Sequence, residues 1–287
     1  MGHPIENLIA GVPSLGSYAS VLAEIEAVLD NPQSTLTDVG EVIEKDPDLT
    51  ARLLKLGNSS FYGFPCRVET VSETISLIGI QQVQDLITVS TVVEIFEGIS
   101  ADLVNMKSFW QHSLACGVAA RQLALSRRMP KPEKLFVLGL LHDIGRLVLY
   151  AQDPEKSRFV FKAYPLSSES LRETEREVLG FDHTEIGECL LRAWNYPANL
   201  VAGVRYHHHP LSAGAFQLEA SITHVADHLV NAMQWGSSGQ RVVPTLHDKA
   251  WERLNLPPDV LESVVTAMDD QLAAVEKAFL PAKGGTG

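Results

Sequence analysis

The feature that most constrains this chain is the run from Phe136 to Leu149, where an adjacent imidazole and carboxylate, His142 and Asp143, interrupt an almost wholly apolar stretch. On helical spacing Leu138, Leu141, His142, Gly145 and Leu149 share one stripe, so His142 points where the leucines point. Asp143 follows about 100° round the same helix, still among apolar neighbours. A carboxylate buried without a partner costs roughly several kcal/mol, so it must lose its charge, meet a cation or bind a metal. Any fold that buries this run must bring those partners from elsewhere in the chain.

The other histidines offer themselves. Eight of the ten fall between His112 and His228, on segments that otherwise bury leucine and alanine. His112 shares a stripe with Phe109, Cys116, Ala119 and Leu123. His183 shares one with Ile186, Gly187, Leu190 and Trp194. Neutral imidazoles with a carboxylate form the ligand set of a divalent transition ion such as iron, manganese, zinc or nickel, and two such ions can share a bridging Asp. The plainer reading of each also stands: a satisfied core histidine at His112 and at His183, and at Asp143 an ion pair with His112 or Arg146. Ile222, Val225, Leu229 and Met233 make the apolar face of the later helix. That puts Asp227 opposite, with His224 and Asn231, where solvent is an alternative. His209, His224 and His228 read as surface groups, and Cys116 and Cys189 as core filler.

With 287 residues, 45% of them hydrophobic, the chain can bury one large or two modest cores. Its net charge of −12 argues against nucleic-acid binding, which draws on accumulated Lys and Arg. Arg121, Arg127, Arg128, Lys131, Lys134 and Arg146 form a local basic group, either a charged rim on a helix pair or a phosphate-facing patch. Three scattered cysteines with no CxxC spacing indicate neither a disulfide frame nor a thiolate zinc knuckle. With no signal pattern and no unbroken run of eighteen apolar residues, the expectation is a cytoplasmic protein with no membrane contact.

Apolar periodicity and caps predict helices over 17–29, 35–44, 48–56, 71–78, 81–96, 107–126, one through His142, then 168–179, 182–195, 217–233, 246–254 and 258–278. Strand signals are sparse, so the fold class is all-α. The organisation expected is an N-terminal helical lobe over 1–105, a helical bundle over 106–235, and an extension with a frayed tail over 236–287 that begins as a Gly/Ser-containing linker.

The order Asp46-Pro47-Asp48-Leu49, then Leu53-Leu54-Lys55-Leu56-Gly57-Asn58-Ser59, Tyr62-Gly63 and Ile75-Ser76-Leu77-Ile78-Gly79 closely resembles the N-terminal half of the HDOD family, the HD-related output domain. The resemblance continues through Leu-Leu-His-Asp-Ile-Gly at 140–145, Asp-His-x-x-x-Gly at 182–187, Trp-x-x-Pro at 194–197 and His-His-x-Pro at 207–210. It implies the metal scaffold of the wider HD phosphohydrolase superfamily. By match to those motifs His112, His142, Asp143 and Asp227 hold a first ion, while His183, His207 and His208 hold a second, with Asp143 bridging. The same match gives Asp143 and Arg146 a catalytic part if the site is hydrolytic.

Two departures bear on activity. The Gly-Tyr-Pro motif of the related cyclic di-GMP phosphodiesterases does not follow the paired histidines, and Arg146 stands where those enzymes carry Lys, a change in the geometry of any phosphate contact. The resemblance therefore implies a bacterial signalling module with one or two divalent ions, acting through contacts with signalling proteins. The alternatives are a metal-dependent phosphohydrolase acting on a nucleotide or cyclic nucleotide, and a protein that binds a nucleotide without cutting it.

Overall fold

The computed structural model describes residues 4–13, 19–164 and 170–280. They form an all-α fold, with no strand among the described residues. The helices are α1 (Pro4–Ala10), α2 (Ala19–Leu29), α3 (Leu36–Glu44), α4 (Pro47–Gly57), α5 (Val71–Ile78), α6 (Ile80–Ile95), α7 (Met106–Ser126), α8 (Glu133–Leu141), α9 (Ile144–Gln152), α10 (Pro154–Ala163), α11 (Leu171–Leu179), α12 (His183–Ala193), α13 (Ala198–Tyr206), α14 (Gln217–Met233), α15 (Asp248–Leu254) and α16 (Val260–Phe279). The expected helical character of Ser17, Tyr18 and Ser168 and the frayed tail from Pro281 lie outside the described residues.

The chain divides into two compact units, Met1–Val12 with Phe96–Met268 and Pro13–Ile95 with Asp269–Gly287. The stretch after residue 235 is thus shared between the units and does not form a third. In the smaller unit the punctuation is chemical. Thr35 with Asp38 and Thr70 with Glu73 close capping boxes on α3 and α5, and Asp46 caps α4 with Pro47 at its first turn. Asn58 ties the following loop down, its amide donating to the Leu54 and Val68 carbonyls and its oxygen accepting from Val68 N–H. Ile25, Ile43, Leu53, Leu56, Val71 and Ile75 fill the core above this frame.

In the larger unit α7 lies against α8 and α14, and α12 against α9 and α13. Gly139 lets α8 approach α7: a Cβ there would come within 2.5 Å of the Cys116 carbonyl oxygen. Gly145 does the same for α9 and α12, since its Cβ would stand 1.9 Å from the His183 carbonyl oxygen. The run Glu133–Gln152 is long and apolar enough by composition to cross a membrane, although His142, Asp143 and Arg146 interrupt it, so no unbroken run of eighteen apolar residues is present. Within it, 89% of the most apolar eighteen-residue window is buried inside the protein.

Four expectations need correction. The helix through His142 is two helices, with the chain turning at His142 and Asp143, whose backbone sits at φ −102°, ψ 14°. The 154–163 stretch, absent from the expected helices, is helix α10: Asp153 caps it and Pro154 occupies its first turn, where a missing N–H is harmless. Helices α1 and α13 lie outside the expected set. Arg146 is only 2% exposed and belongs to no charged rim.

Candidate metal centre

The turn at 142–143 sets the site. A continuous helix would place His142 and Asp143 about 100° apart, whereas the break directs both into the space enclosed by α7, α12, α13 and α14. His112 enters from α7, His183 from the first turn of α12, His207 from the end of α13 and Asp227 from α14. Their exposures are 0% for His112, His142, His183 and His207, 2% for Asp143 and 5% for Asp227. The expectation that Asp227 could face solvent fails because α14 is buried nearly all round, from Ala220 to Asp227.

Two groups of donor atoms form. One comprises His112, Cys116, His142 and Asp227, and the other Asp143, His183, His207 and His208; within each, the donors lie within 4.8 Å of one another. In the first, Asp227 Oδ1 stands 3.2 Å from His112 Nε2 and 3.5 Å from His142 Nε2. In the second, Asp143 Oδ1 stands 3.1 Å from His183 Nε2 and 3.8 Å from His207 Nε2, with His208 Nε2 3.2 Å from His183 Nε2. The carboxylate of Asp143 lies between them, Oδ2 being 3.4 Å from His142 Nε2. The seven residues expected to hold ions are thus brought together.

The outer contacts orient these donors. Nδ1 of His142 donates to the Gly139 carbonyl at 2.7 Å and Nδ1 of His207 to the Val204 carbonyl at 2.8 Å, which leaves each Nε2 lone pair directed inward. His183 Nδ1 pairs with Glu175 at 2.5 Å. Asn231 donates to Asp227 Oδ1 at 2.7 Å. His112 is the exception, since its Nδ1 makes no hydrogen bond. Arg146 is locked on three sides: to Asp143 Oδ2 at 2.7 Å, Glu175 Oε1 at 3.2 Å and the Ser238 hydroxyl at 2.6 Å.

The fit to a cation is tested by what is left over. Buried His142 Nε2, His207 Nε2 and Asp143 Oδ1 make no hydrogen bond, an arrangement costly for polar atoms unless something binds them. Electrostatics agree. Burial disfavours charge on His142, but Asp143 and Asp227 outweigh it and hold its pKa up at about 10. Burial also opposes ionisation of Asp143, which Arg146 and His142 reverse, and of Asp227, which His112 and His142 reverse; both carboxyls stay well below the usual range. Burial first, then the charge of neighbouring imidazoles, pushes His207 and His208 well down, so both are neutral donors. Without a metal, a proton on His142 supplies part of the balancing charge.

Sequence reading missed three contributors. Glu175 sits in the charged segment Leu171–Leu179, yet Leu171, Thr174, Glu175 and Val178 are spaced as one stripe, a signal that it faces inward. Ser238, in the supposed linker, is 1% exposed and had no periodic signal. Cys116, taken as core filler, points its thiol at His112. His224, expected at the surface, is buried. Its Nδ1 donates to the His207 carbonyl and its Nε2 accepts from His247 N–H, so both ring nitrogens are engaged within the protein. His209 is exposed, as expected.

The model of the HDOD domain matches residues 15–210. An uncharacterized protein of Treponema pallidum (strain Nichols) is 28% identical over 210 residues, 71% of this chain and only 39% of that relative's length. The fold is similar to that of an HDOD domain protein of unknown function from Geobacter sulfurreducens, with a TM-score of 0.75, 20% identity and coverage of 96% of this chain and 97% of the other. It is also similar to a candidate phosphohydrolase from Shewanella amazonensis SB2B, with a TM-score of 0.68, 24% identity and coverage of 93% and 98%. The motifs, the helical architecture and the match across more than half its length lead to one conclusion: the chain belongs to the HDOD family.

Proposed function

We propose that this chain is a signalling output module whose larger unit is built round one or two sealed divalent ions, and that it acts through protein contacts without hydrolysing a phosphoester. The first ion would be held by His112, His142 and Asp227, the second by Asp143, His183, His207 and His208. A divalent ion there supplies charge against two buried carboxylates and, where a substrate has access, Lewis acidity. Iron, manganese, zinc and nickel all suit such donors.

The observation that carries this reading is enclosure. The segment after α14 lies across the site: Ser237 N–H donates to the Ser108 carbonyl, Ser238 accepts from Arg146, and His247 N–H donates to His224. A cavity that reaches His208, and no other member of the ligand set, is about 220 Å³, below the ~300–1,000 Å³ of sites that enclose small molecules. Arg146, the residue that could steady a phosphate, is committed to Asp143, Glu175 and Ser238. Its guanidinium braces the site from behind.

The competing reading, a phosphohydrolase on a nucleotide, draws on the near-complete ligand set and on the Shewanella relative. The experiment that separates them uses untagged, metal-loaded protein and a generic phosphodiester. No turnover is expected, and His142→Ala is expected to lower metal content and thermal stability. Metal-dependent turnover that disappears in His142→Ala would refute the signalling reading and establish the hydrolytic one. Stabilisation by a nucleotide without product would point to a bound ligand.

A further inference from the structure

The first donor group holds a residue that the family motifs do not supply. Cys116 follows His112 by four residues on α7, so both side chains leave the same face. Its Sγ lies 3.6 Å from His112 Nε2, is fully buried, and falls within 4.8 Å of the donor atoms of His142 and Asp227. A core-filling cysteine would meet carbon on every side. This one faces two imidazole nitrogens and a carboxylate, and the neighbouring His142 Nε2 is buried with no hydrogen bond.

The spacing has a specific meaning. A tetrahedral ion with a metal–sulfur bond of about 2.3 Å and metal–nitrogen bonds of about 2.0 Å separates its donor atoms by roughly 3.3–3.6 Å. Three of the six separations within the group, 3.2 Å for His112 to Asp227, 3.5 Å for His142 to Asp227 and 3.6 Å for His112 to Cys116, fall near that edge length, and all six are within 4.8 Å. Asp143 also reaches this group, with Oδ2 3.4 Å from His142 Nε2, but that oxygen is held by Arg146 at 2.7 Å and Oδ1 turns to His183. One corner is therefore open to another donor, and the thiol stands beside it.

Resting on the reading that the protein holds metal, we infer that Cys116 is a ligand of the first ion, which makes that site His112, Cys116, His142 and Asp227 and selects a thiophilic ion such as zinc over manganese or magnesium. On binding, the S–H bond breaks, its proton passes to solvent, and both electrons of the thiolate lone pair go into the bond to the metal. No redox change is involved. The second group, which contains no sulfur, keeps the family's nitrogen and oxygen donors.

Cobalt(II) reports this directly, because thiolate ligation gives a near-ultraviolet charge-transfer band that nitrogen and oxygen donors lack. The test uses the full-length, untagged chain loaded with cobalt, beside a Cys66→Ser/Cys189→Ser double variant in which Cys116 is the only thiol, and Cys116→Ser. The expected result is the band in wild type and undiminished in the double variant, and its loss in Cys116→Ser with the second site still filled. Should Cys116→Ser fail to fold, the double variant assigns the band by itself. Stoichiometric cobalt without the band, or a band lost in the double variant, overturns the inference while leaving the metal reading intact. Failure to bind cobalt, zinc or manganese at all overturns both.

Discussion

Among single residues, His142 carries the clearest pH signature. Its folded pKa of about 10 in the metal-free site exceeds the ordinary value of about 6.5 for an unfolded histidine. The folded state therefore holds an extra proton between those values, and the resulting stability is complete below about pH 6.5 and lost as pH rises through 10. Asp143 and Asp227 are shifted the other way, so their contribution is present above the ordinary carboxyl range and lost on acidification. Metal-free protein is predicted to lose stability from pH 6.5 toward 10 in urea titrations, whereas metal-loaded protein is not, because the ion replaces the proton. Metal affinity should accordingly fall as pH falls. A metal-free protein equally stable at both ends of that range would contradict this balance.

Glu175 is the second residue with a sharp expectation. It accepts from His183 Nδ1 and pairs with Arg146 Nε, both fully buried. Glu175→Gln removes the charge but keeps the shape. The loss expected is about 10–100-fold in metal affinity at the second group and roughly 3–5 kcal/mol in stability from leaving Arg146 with one anion fewer. Chelator competition and denaturant unfolding measure the two. Unchanged metal affinity would show that Glu175 serves Arg146 alone. Its role was legible only as a stripe position in an otherwise charged helix, because no local pattern distinguishes a carboxylate facing a buried arginine from one facing water.

On the scale of elements, the close pass of α9 over α12 at Gly145 decides where Asp143 meets His183. Gly145→Ala would drive a methyl against the His183 carbonyl oxygen, backbone that cannot swing aside. The prediction is a destabilisation of about 1–3 kcal/mol or more, with metal lost from the second group before the first. A thermal scan with metal analysis checks both. An unaltered protein would mean the helices can part freely. Helix positions were legible wherever caps and apolar period agreed, as in α3, α5, α7 and α12. They were not at Pro154, where proline opens a helix inside a polar stretch, or where a helix breaks without Gly or Pro, as at His142–Asp143. The face of Asp227 was obscured for another reason. In a helix buried on every side, the side opposite the leucines is not solvent.

For the whole molecule, the clustered histidines, the buried His142–Asp143 pair and the helical class could be read from sequence because ligand chemistry restricts residue type. The enclosure could not, because it depends on where a Gly- and Ser-containing segment without periodicity comes to rest. Ser238 holds Arg146, and Tyr150 OH donates to the Ser238 carbonyl, so this segment and the metal donors should rise and fall together. Metal removal is predicted to lower the unfolding temperature of the larger unit and to expose 236–247 to protease. Metal at about 100 times its dissociation constant should restore roughly 2.7 kcal/mol. Protease sensitivity that ignores the metal would separate the segment from the site.

The central claim, that helices α7, α12 and α14, the 142–143 turn and the end of α13 enclose a cation, is most directly tested by elemental analysis of the full-length protein purified without a histidine tag or nickel resin. One or two equivalents of a transition metal per chain are predicted, falling in His142→Ala and in Asp143→Asn. Less than a tenth of an equivalent, with no uptake of added zinc, iron, manganese or nickel at neutral pH, would contradict the account and leave a buried ion-pair network in its place.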